Sequence, residues 1–518
     1  MAERRRLAAV DLGAESGRVV VGALDGETIR LTVAHRFANR PVWLPDGLHW
    51  NLPGIFEHVL RGLAEAALGG PLSGVGVDAW GCDYALLDED GRMLGLPYHY
   101  RDPARTSPDV LDAVHARVAR EELYRRTGTQ TLAINTVFQL AAEAAAGGPA
   151  VHEAQRIALV PDLLGLWLTG TLANELTAAS TTGLLEARRP RWAADLARRL
   201  GLPGAPFARE VVAPGTELGP LLAGHRDAAG DAVGAPVRTV AGHDTACAFA
   251  AAPLDPTRGA VLSSGTWSLL GLELDGPELG AEAAAANLTN ERGVEGTTRL
   301  LRNVMGLWLV QECRRDWARA GVELGYDELV ALAADAPAEV PLFDPDHPSL
   351  LRGGNMEARI GALCRASGQP APAGPGELTR ATLVSLACKY RYVLEALERV
   401  SGRRIEAVHV VGGGARNDML CRLTAELLER PVLAGPVEAT ALGNLLVQAQ
   451  ACGELAGRAE MRALVRASAP PTVHEPAPDS ARPAAATYQR FLAVSGLGAD
   501  RALATAAAPS QSVAQGEP

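Results

Sequence analysis

Asp11-Leu12-Gly13-Ala14-Glu15-Ser16-Gly17-Arg18 is the stretch on which the fold turns. An apolar run over residues 7–11 ends in a carboxylate, and a second run follows over residues 18–24. The glycines between them predict a tight turn joining two strands. Asp25-Gly26 then leads into a third strand over residues 29–37, so the chain opens as a meander. Such a turn offers backbone N–H groups to an anion, with Asp11 placed for a hydrated Mg²⁺ and Arg18 for a phosphate. Taken alone, the stretch reads equally as an ordinary β-hairpin.

The same grammar returns at Ser263-Ser264-Gly265-Thr266-Trp267-Ser268, within a hairpin expected over residues 259–274. Two such turns facing each other would clamp a polyphosphate between two halves of the chain. A third glycine turn, Val410-Val411-Gly412-Gly413-Gly414-Ala415-Arg416-Asn417, joins a strand at 407–411 to a helix at 417–428. Close backbone approach there suits a flat ligand. A dinucleotide fold needs Gly-x-Gly-x-x-Gly, and Asn417 stands where its last glycine belongs, so adenosine without nicotinamide fits better.

Between these turns, residues 53–68 carry Ile55, Val59, Leu60 and Leu63 at helical spacing, followed by strands at 75–77 and 84–87. The pattern restarts with a strand at 237–240, then helices at 304–320 and 378–400 and a last helix at 438–451. Two α/β halves result. Residues from about 468 are rich in Ala and Pro, with Tyr488-Gln489-Arg490-Phe491-Leu492 as an anchor and disorder expected beyond 499.

The composition excludes several chemistries. One lysine, Lys389, stands against 48 arginines and lies between Cys388 and Tyr390, so there is no Walker A lysine and no protein-kinase strand lysine. His225-Arg226-Asp227 resembles a protein-kinase catalytic loop only by chance. Nucleotide phosphates would have to be held by backbone amides, arginine and metal. A net charge of −11 disfavours nucleic acid. No apolar run approaches the ~18 residues that span a bilayer. The apolar stretch ahead of Asp11 is too short for a secretion signal. Seven scattered cysteines form no metal-ligand spacing, and reduced thiols in the cytoplasm are expected, with no disulfide. No obligate protein partner is evident.

Three segments bear on the acceptor. Gly242-His243-Asp244-Thr245 places a carboxylate where a general base for hydroxyl phosphorylation would stand, or where a helix is capped. Asp78-Ala79-Trp80-Gly81-Cys82-Asp83 sets two acids after a strand, suited to sugar hydroxyls. Asn303-Val304-Met305-Gly306-Leu307-Trp308-Leu309-Val310-Gln311 reads as a helix with Asn303 and Gln311 about two turns apart. Trp80, Trp267 and Trp308 would stack on a sugar or pack in the core.

Together with Leu262-Ser263-Ser264-Gly265-Thr266-Trp267-Ser268-Leu269 and Ala434-Gly435-Pro436-Val437-Glu438-Ala439-Thr440-Ala441-Leu442-Gly443-Asn444, these segments resemble the FGGY carbohydrate kinases of the actin/hexokinase/Hsp70 superfamily. Within that family they are most similar to the members that act on L-rhamnulose. The resemblance implies an α/β fold of two ribonuclease H-like (actin-like ATPase) domains with a cleft between them. Residues 1–242 would form the sugar side and 243–475 the nucleotide side, with 476–518 as a tail. It makes Asp244 the base and assigns Gly81, His243, Asp244, Thr245 and Asn303 to L-rhamnulose. ATP falls to Ala14, Glu15, Ser16, Gly17, Arg18, Thr266, Gln311 and Gly413, with Asp11 on the Mg²⁺. Glu15 departs from the small hydroxyl residue usual at its place. Another ketose such as L-fuculose, or a non-catalytic nucleotide-switched sugar sensor, is the alternative. Closure about residues 239–242 is expected.

Overall fold

In the computed structural model, which describes residues 5–498, the opening meander forms as the alternation dictates. Arg5–Leu12 (β1), Ser16–Leu24 (β2) and Ile29–Ala38 (β3) pair antiparallel, and the Gly13 N–H closes the first turn on the Ser16 carbonyl at 2.9 Å. The Gly74–Ala79 strand then lies parallel to β1, with Asp78 directly beside Asp11. The Pro236–His243 and Glu217–Pro220 strands complete a six-stranded sheet. Helix α1 (Leu52–Ala67) covers it with the predicted face of Ile55, Val59, Leu60 and Leu63 buried.

A second sheet of seven strands repeats the plan. The Gly259–Ser264 and Trp267–Leu274 strands form its hairpin, and Ala407–Val411 runs parallel to the first of them. Thr289–Arg292 and Thr298–Met305 extend one edge, Val432–Ala434 and Thr472–His474 the other. A helical lobe over residues 108–199 is inserted between strands of the first sheet.

Two helices from the second half, Asp244–Ala250 and Ala439–Ala451, lie between the sheets. A Cβ on Gly443 would fall 1.9 Å from the Cys247 carbonyl oxygen, so the helices meet backbone to backbone where only glycine fits. Asn444 donates to Asp78 Oδ2 at 2.7 Å and Gln448 to the Ala8 carbonyl at 3.0 Å. These bonds bolt a helix of the second half onto the first sheet.

Several expectations need correction. The strand at 237–240, read as the restart of the pattern, belongs to the first sheet. Its end is pinned by the Gly242 N–H on Glu175 Oε2 at 2.9 Å and the His243 N–H on Thr177 Oγ1 at 3.2 Å. The expected helix from 304 is a strand to Met305 and a helix only from Trp308 to Arg319, because Gly306 breaks the run. A Cβ there would lie 2.6 Å from the backbone of Trp267. The helix at 438–451 is not the last, since Arg458–Ser468 and Ala481–Ser495 follow, the latter burying Tyr488 and Phe491. The disorder expected beyond 499 falls outside the described residues. Among those described, all seven cysteines are free thiols and no helix is long and apolar enough to cross a membrane.

Candidate active site

A cavity of about 330 Å³ lies where the two hairpin turns face each other. Its wall includes Asp11, Ala14, Glu15, Ser16 and Arg18 from the first turn, with Thr266 and Gly413 from the second half. Gly81, His243, Asp244, Thr245, Asn303 and Gln311 line it too. Gly17 does not. A Cβ on it would meet the Phe37 ring at 2.3 Å, so it packs into the first domain.

At one end the side chains are fixed from both halves. Asp244 begins its helix without capping it. Its Oδ1 accepts from its neighbour Thr245, from the N–H at 2.5 Å and Oγ1 at 3.1 Å. Burial, and secondarily the charge of Asp11, push its carboxyl above the ordinary value of 3.8, against the opposing pull of His243 and Thr245. Asn303 sits on a strand rather than a helix. Gln130, 2% exposed in the inserted lobe, accepts from the Asn303 N–H at 2.9 Å and Nδ2 at 3.1 Å, and donates back to its carbonyl at 3.3 Å. Beside it, the Gly128 carbonyl accepts from the Asn290 N–H at 2.8 Å.

The other end is made of glycine turns. Gly412 has φ +83°, and a Cβ on Gly414 would lie 2.0 Å from Ser264 Oγ, which brings the third turn against the second hairpin. Asn417 caps the helix beyond through the Leu420 N–H at 2.9 Å. Gln311 Oε1 is buried in the wall without a hydrogen-bond partner. Glu15 faces Arg315 across the cleft mouth at 3.0 Å. Arg18 is held by carboxylates, through Nε on Asp11 Oδ2 at 2.9 Å and through an ion pair with Glu438.

Burial raises Asp11, offset in part by Arg18. Burial and then the Asp11 charge raise Asp78 well above its ordinary value, and Asp78 Oδ1 has no hydrogen-bond partner. Among the described residues no group of three or more potential ligands is close enough to hold a bare ion. Asp11 reaches the cavity wall, whereas Asp78 is fully buried behind it.

Other expectations shift. Asp83 does not serve sugar hydroxyls. Its carboxyl is buried and accepts from Trp50 Nε1 at 2.6 Å, Trp80 Nε1 at 3.0 Å, Gln139 Nε2 at 3.1 Å and the Tyr100 N–H at 3.3 Å. Asp78 is fully buried, with Oδ2 taken up by Asn444. Trp308 packs under Arg101 at 3.6 Å from its ring centre, while Trp80 and Trp267 reach the cavity wall. Lys389 is buried away from the cleft, paired with Asp344 at 2.8 Å and Asp346 at 3.1 Å.

Comparison with known proteins fits this geometry. The N-terminal domain model of the FGGY family of carbohydrate kinases matches residues 7–250 and the C-terminal one residues 260–452. The chain belongs to the FGGY family of carbohydrate kinases. A rhamnulokinase of Bacteroides thetaiotaomicron is 40% identical over 90% of this chain and 95% of its own. Another, of Pectobacterium carotovorum, is 40% identical over 95% and 97%. The fold is similar to that of a gluconate kinase from Lactobacillus acidophilus, with TM-score 0.75 at 15% identity over 97% of this chain and 99% of that one. A xylulose kinase from Rhodospirillum rubrum gives 0.74 at 20% identity over 97% and 100%.

This FGGY kinase also lines its cleft with residues that sequence reasoning passed over. Gln130, Thr181, Thr289 and Glu291 are among them. Only the alternation of Thr289 and Glu291 in a short strand was a local signal. The Gln130–Asn303 pairing spans 173 positions and leaves none.

Proposed function

We propose that this kinase transfers the γ-phosphoryl group of ATP to the C1 hydroxyl of L-rhamnulose, giving L-rhamnulose 1-phosphate and ADP in L-rhamnose breakdown. The observation that carries the chemistry is Asp244, a carboxylate of raised proton affinity set between fixed side chains and glycine turns. The choice of ketose rests on the 40% identity to proteins named rhamnulokinase.

In this reading Asp244 takes the proton as the C1 oxygen attacks the γ-phosphorus and ADP departs. His243, Thr245, Asn303 and the Gly81 backbone hold the ketose, on a sugar side built from residues 1–242. Backbone N–H groups of Ala14, Glu15, Ser16 and Gly413 face the phosphates with Thr266 and Gln311, on a nucleotide side that draws on 243–475. Arg18 acts by keeping Asp11 in place. Fixed donors of this kind stabilise developing charge without reorganising. Mg²⁺ held on the Asp11–Asp78 side would supply further neutralisation of the phosphates.

ADP release measured over a panel of ketoses tests the proposal. L-rhamnulose should give the highest kcat/KM. Preference for L-fuculose would move the chain to another ketose, and no turnover with any of them would favour a sensor.

A further inference from the structure

The geometry points to Glu291 as a positioning residue that sets the tautomer and aim of His243, and through it the working of Asp244. Glu291 lies on the Thr289–Arg292 strand, directly opposite Arg299 on the neighbouring antiparallel strand. Alternation turns Thr289 and Glu291 to the cleft, on the face that also carries Asn303. Glu291 is 4% exposed and Arg299 not at all. Its Oε2 lies 3.1 Å from His243 Nδ1 and 3.1 Å from Arg299 Nη1, and on the far side of the imidazole Nε2 lies 3.4 Å from Asp244 Oδ1. The row Arg299–Glu291–His243–Asp244 therefore runs from a buried cation to the proposed base.

Arg299 Nη2 also stands 3.2 Å from His243 Nδ1. A guanidinium has only donors, so two arrangements compete. Either Nδ1 is bare and accepts from Arg299, or Nδ1–H and the guanidinium converge on the Glu291 oxygen. Glu291 Oε2 and Arg299 Nη1 are both buried without a well-directed hydrogen-bond partner, and the second arrangement gives that carboxylate oxygen the donor it lacks. Burial by itself would raise Glu291, yet Arg299, His243 and a hydrogen bond from Asn303 together hold it below the ordinary carboxylate value. An ionised Glu291 favours Nδ1–H over a bare Nδ1. In the neutral ring the Nε2 lone pair then faces Asp244 Oδ1, placed to accept a proton from it.

The consequence rests on the kinase reading above. As the C1 O–H bond breaks, its proton passes to Asp244. The freed electron pair forms the C1 O–Pγ bond, and the bond from Pγ to the bridging oxygen breaks with its electrons leaving on ADP. The protonated Asp244 can then donate to Nε2, and Glu291 stabilises positive charge that grows on the imidazole. Without Glu291 the ring is free to take the other tautomer, placing N–H against Asp244 and weakening it as a base.

A double-mutant cycle tests this, run on whichever ketose the wild type phosphorylates so that failure of L-rhamnulose as substrate leaves it readable. Glu291→Gln keeps the shape and removes the charge. It should lower kcat roughly 10–100-fold, as loss of a group that orients a working histidine does, with KM for ATP within about twofold of wild type. In a His243→Asn background the same substitution should cost less than about twofold, because the imidazole it acts on is gone. Equal losses in both backgrounds would overturn the proposal, as would a rise in KM for ATP as large as the fall in kcat. If Arg299 left unpaired unfolds Glu291→Gln, then Glu291→Gln/Arg299→Gln removes both charges and is read by the same two criteria.

Discussion

The two ends of the cleft are built on opposite principles. At the acceptor end the inserted lobe grips the second half, Gln130 on Asn303 and the Gly128 carbonyl on the Asn290 N–H, while Glu175 and Thr177 hold the Gly242-His243 backbone within the first. At the nucleotide end the wall is largely main chain, shaped by glycines at 412–414 and by the Gly13–Ser16 turn, with half-exposed charges at the rim. The difference follows from what each end would recognise. A neutral polyol is told from its epimers only by hydroxyls met at fixed places, so the donors and acceptors there must be immobile before binding. A polyphosphate is recognised by charge and by arrays of N–H groups, which backbone turns provide whatever side chains they bear.

The sharpest break in the comparison is at the acceptor end. Asp244→Asn should lower kcat by about 10²–10⁴-fold with ATP binding retained, measured by steady-state kinetics and nucleotide titration. Because the base must be ionised and its carboxyl is raised by burial, the acid limb of wild-type kcat/KM should fall at a pH above the ordinary 3.8. A variant that keeps its turnover would return Asp244 to a structural role.

Asp11→Ala should break the other end. Productive use of ATP, read as kcat/KM for ATP, should drop about 100-fold or more, activity should require Mg²⁺ or a close substitute, and sugar affinity should hold. Equal losses for both ligands would mean that the first hairpin had misfolded once Arg18 lost its carboxylate.

Gln130→Ala separates the ends more gently. It leaves the Asn303 N–H and carbonyl unpaired at a cost of about 1–3 kcal/mol, so KM for the ketose should rise roughly 5- to 150-fold while KM for ATP stays put. Smallest of all is Glu15→Gln. Its pairing with Arg315 is partly exposed, so less than about 1 kcal/mol is at stake and KM for ATP should move less than about fivefold.

These two ends were unequally legible in the sequence. The glycine turns announce themselves, because Asp-Gly and strand–glycine–helix punctuation is local chemistry, and the hairpins formed where they were expected. Asn303 was placed on a helix because Val304, Met305, Leu307, Trp308, Leu309 and Val310 form an apolar run that a strand end, a break and a helix start read alike. Asp83 looked like a sugar ligand and is instead the acceptor that four N–H groups share inside the first domain. Gln130 had no signature and Glu291 only the alternation of a short strand, since their partners lie far away in sequence or across a strand pair whose register only the fold decides. The Thr472–His474 strand hid in an Ala/Pro-rich segment because it completes a sheet edge rather than a core.

The central claim is that this cleft delivers a phosphoryl group to one hydroxyl, and regiochemistry tests it most directly. L-rhamnulose labelled with ¹³C at C1 would be turned over with ATP by the wild type and by Asp244→Asn, and the product read by ¹³C and ³¹P NMR. The account predicts a phosphorus coupling on the labelled C1 signal with the wild type and almost none with Asp244→Asn over the same time. Phosphate on another carbon, or the same product at the same rate from both proteins, would contradict it.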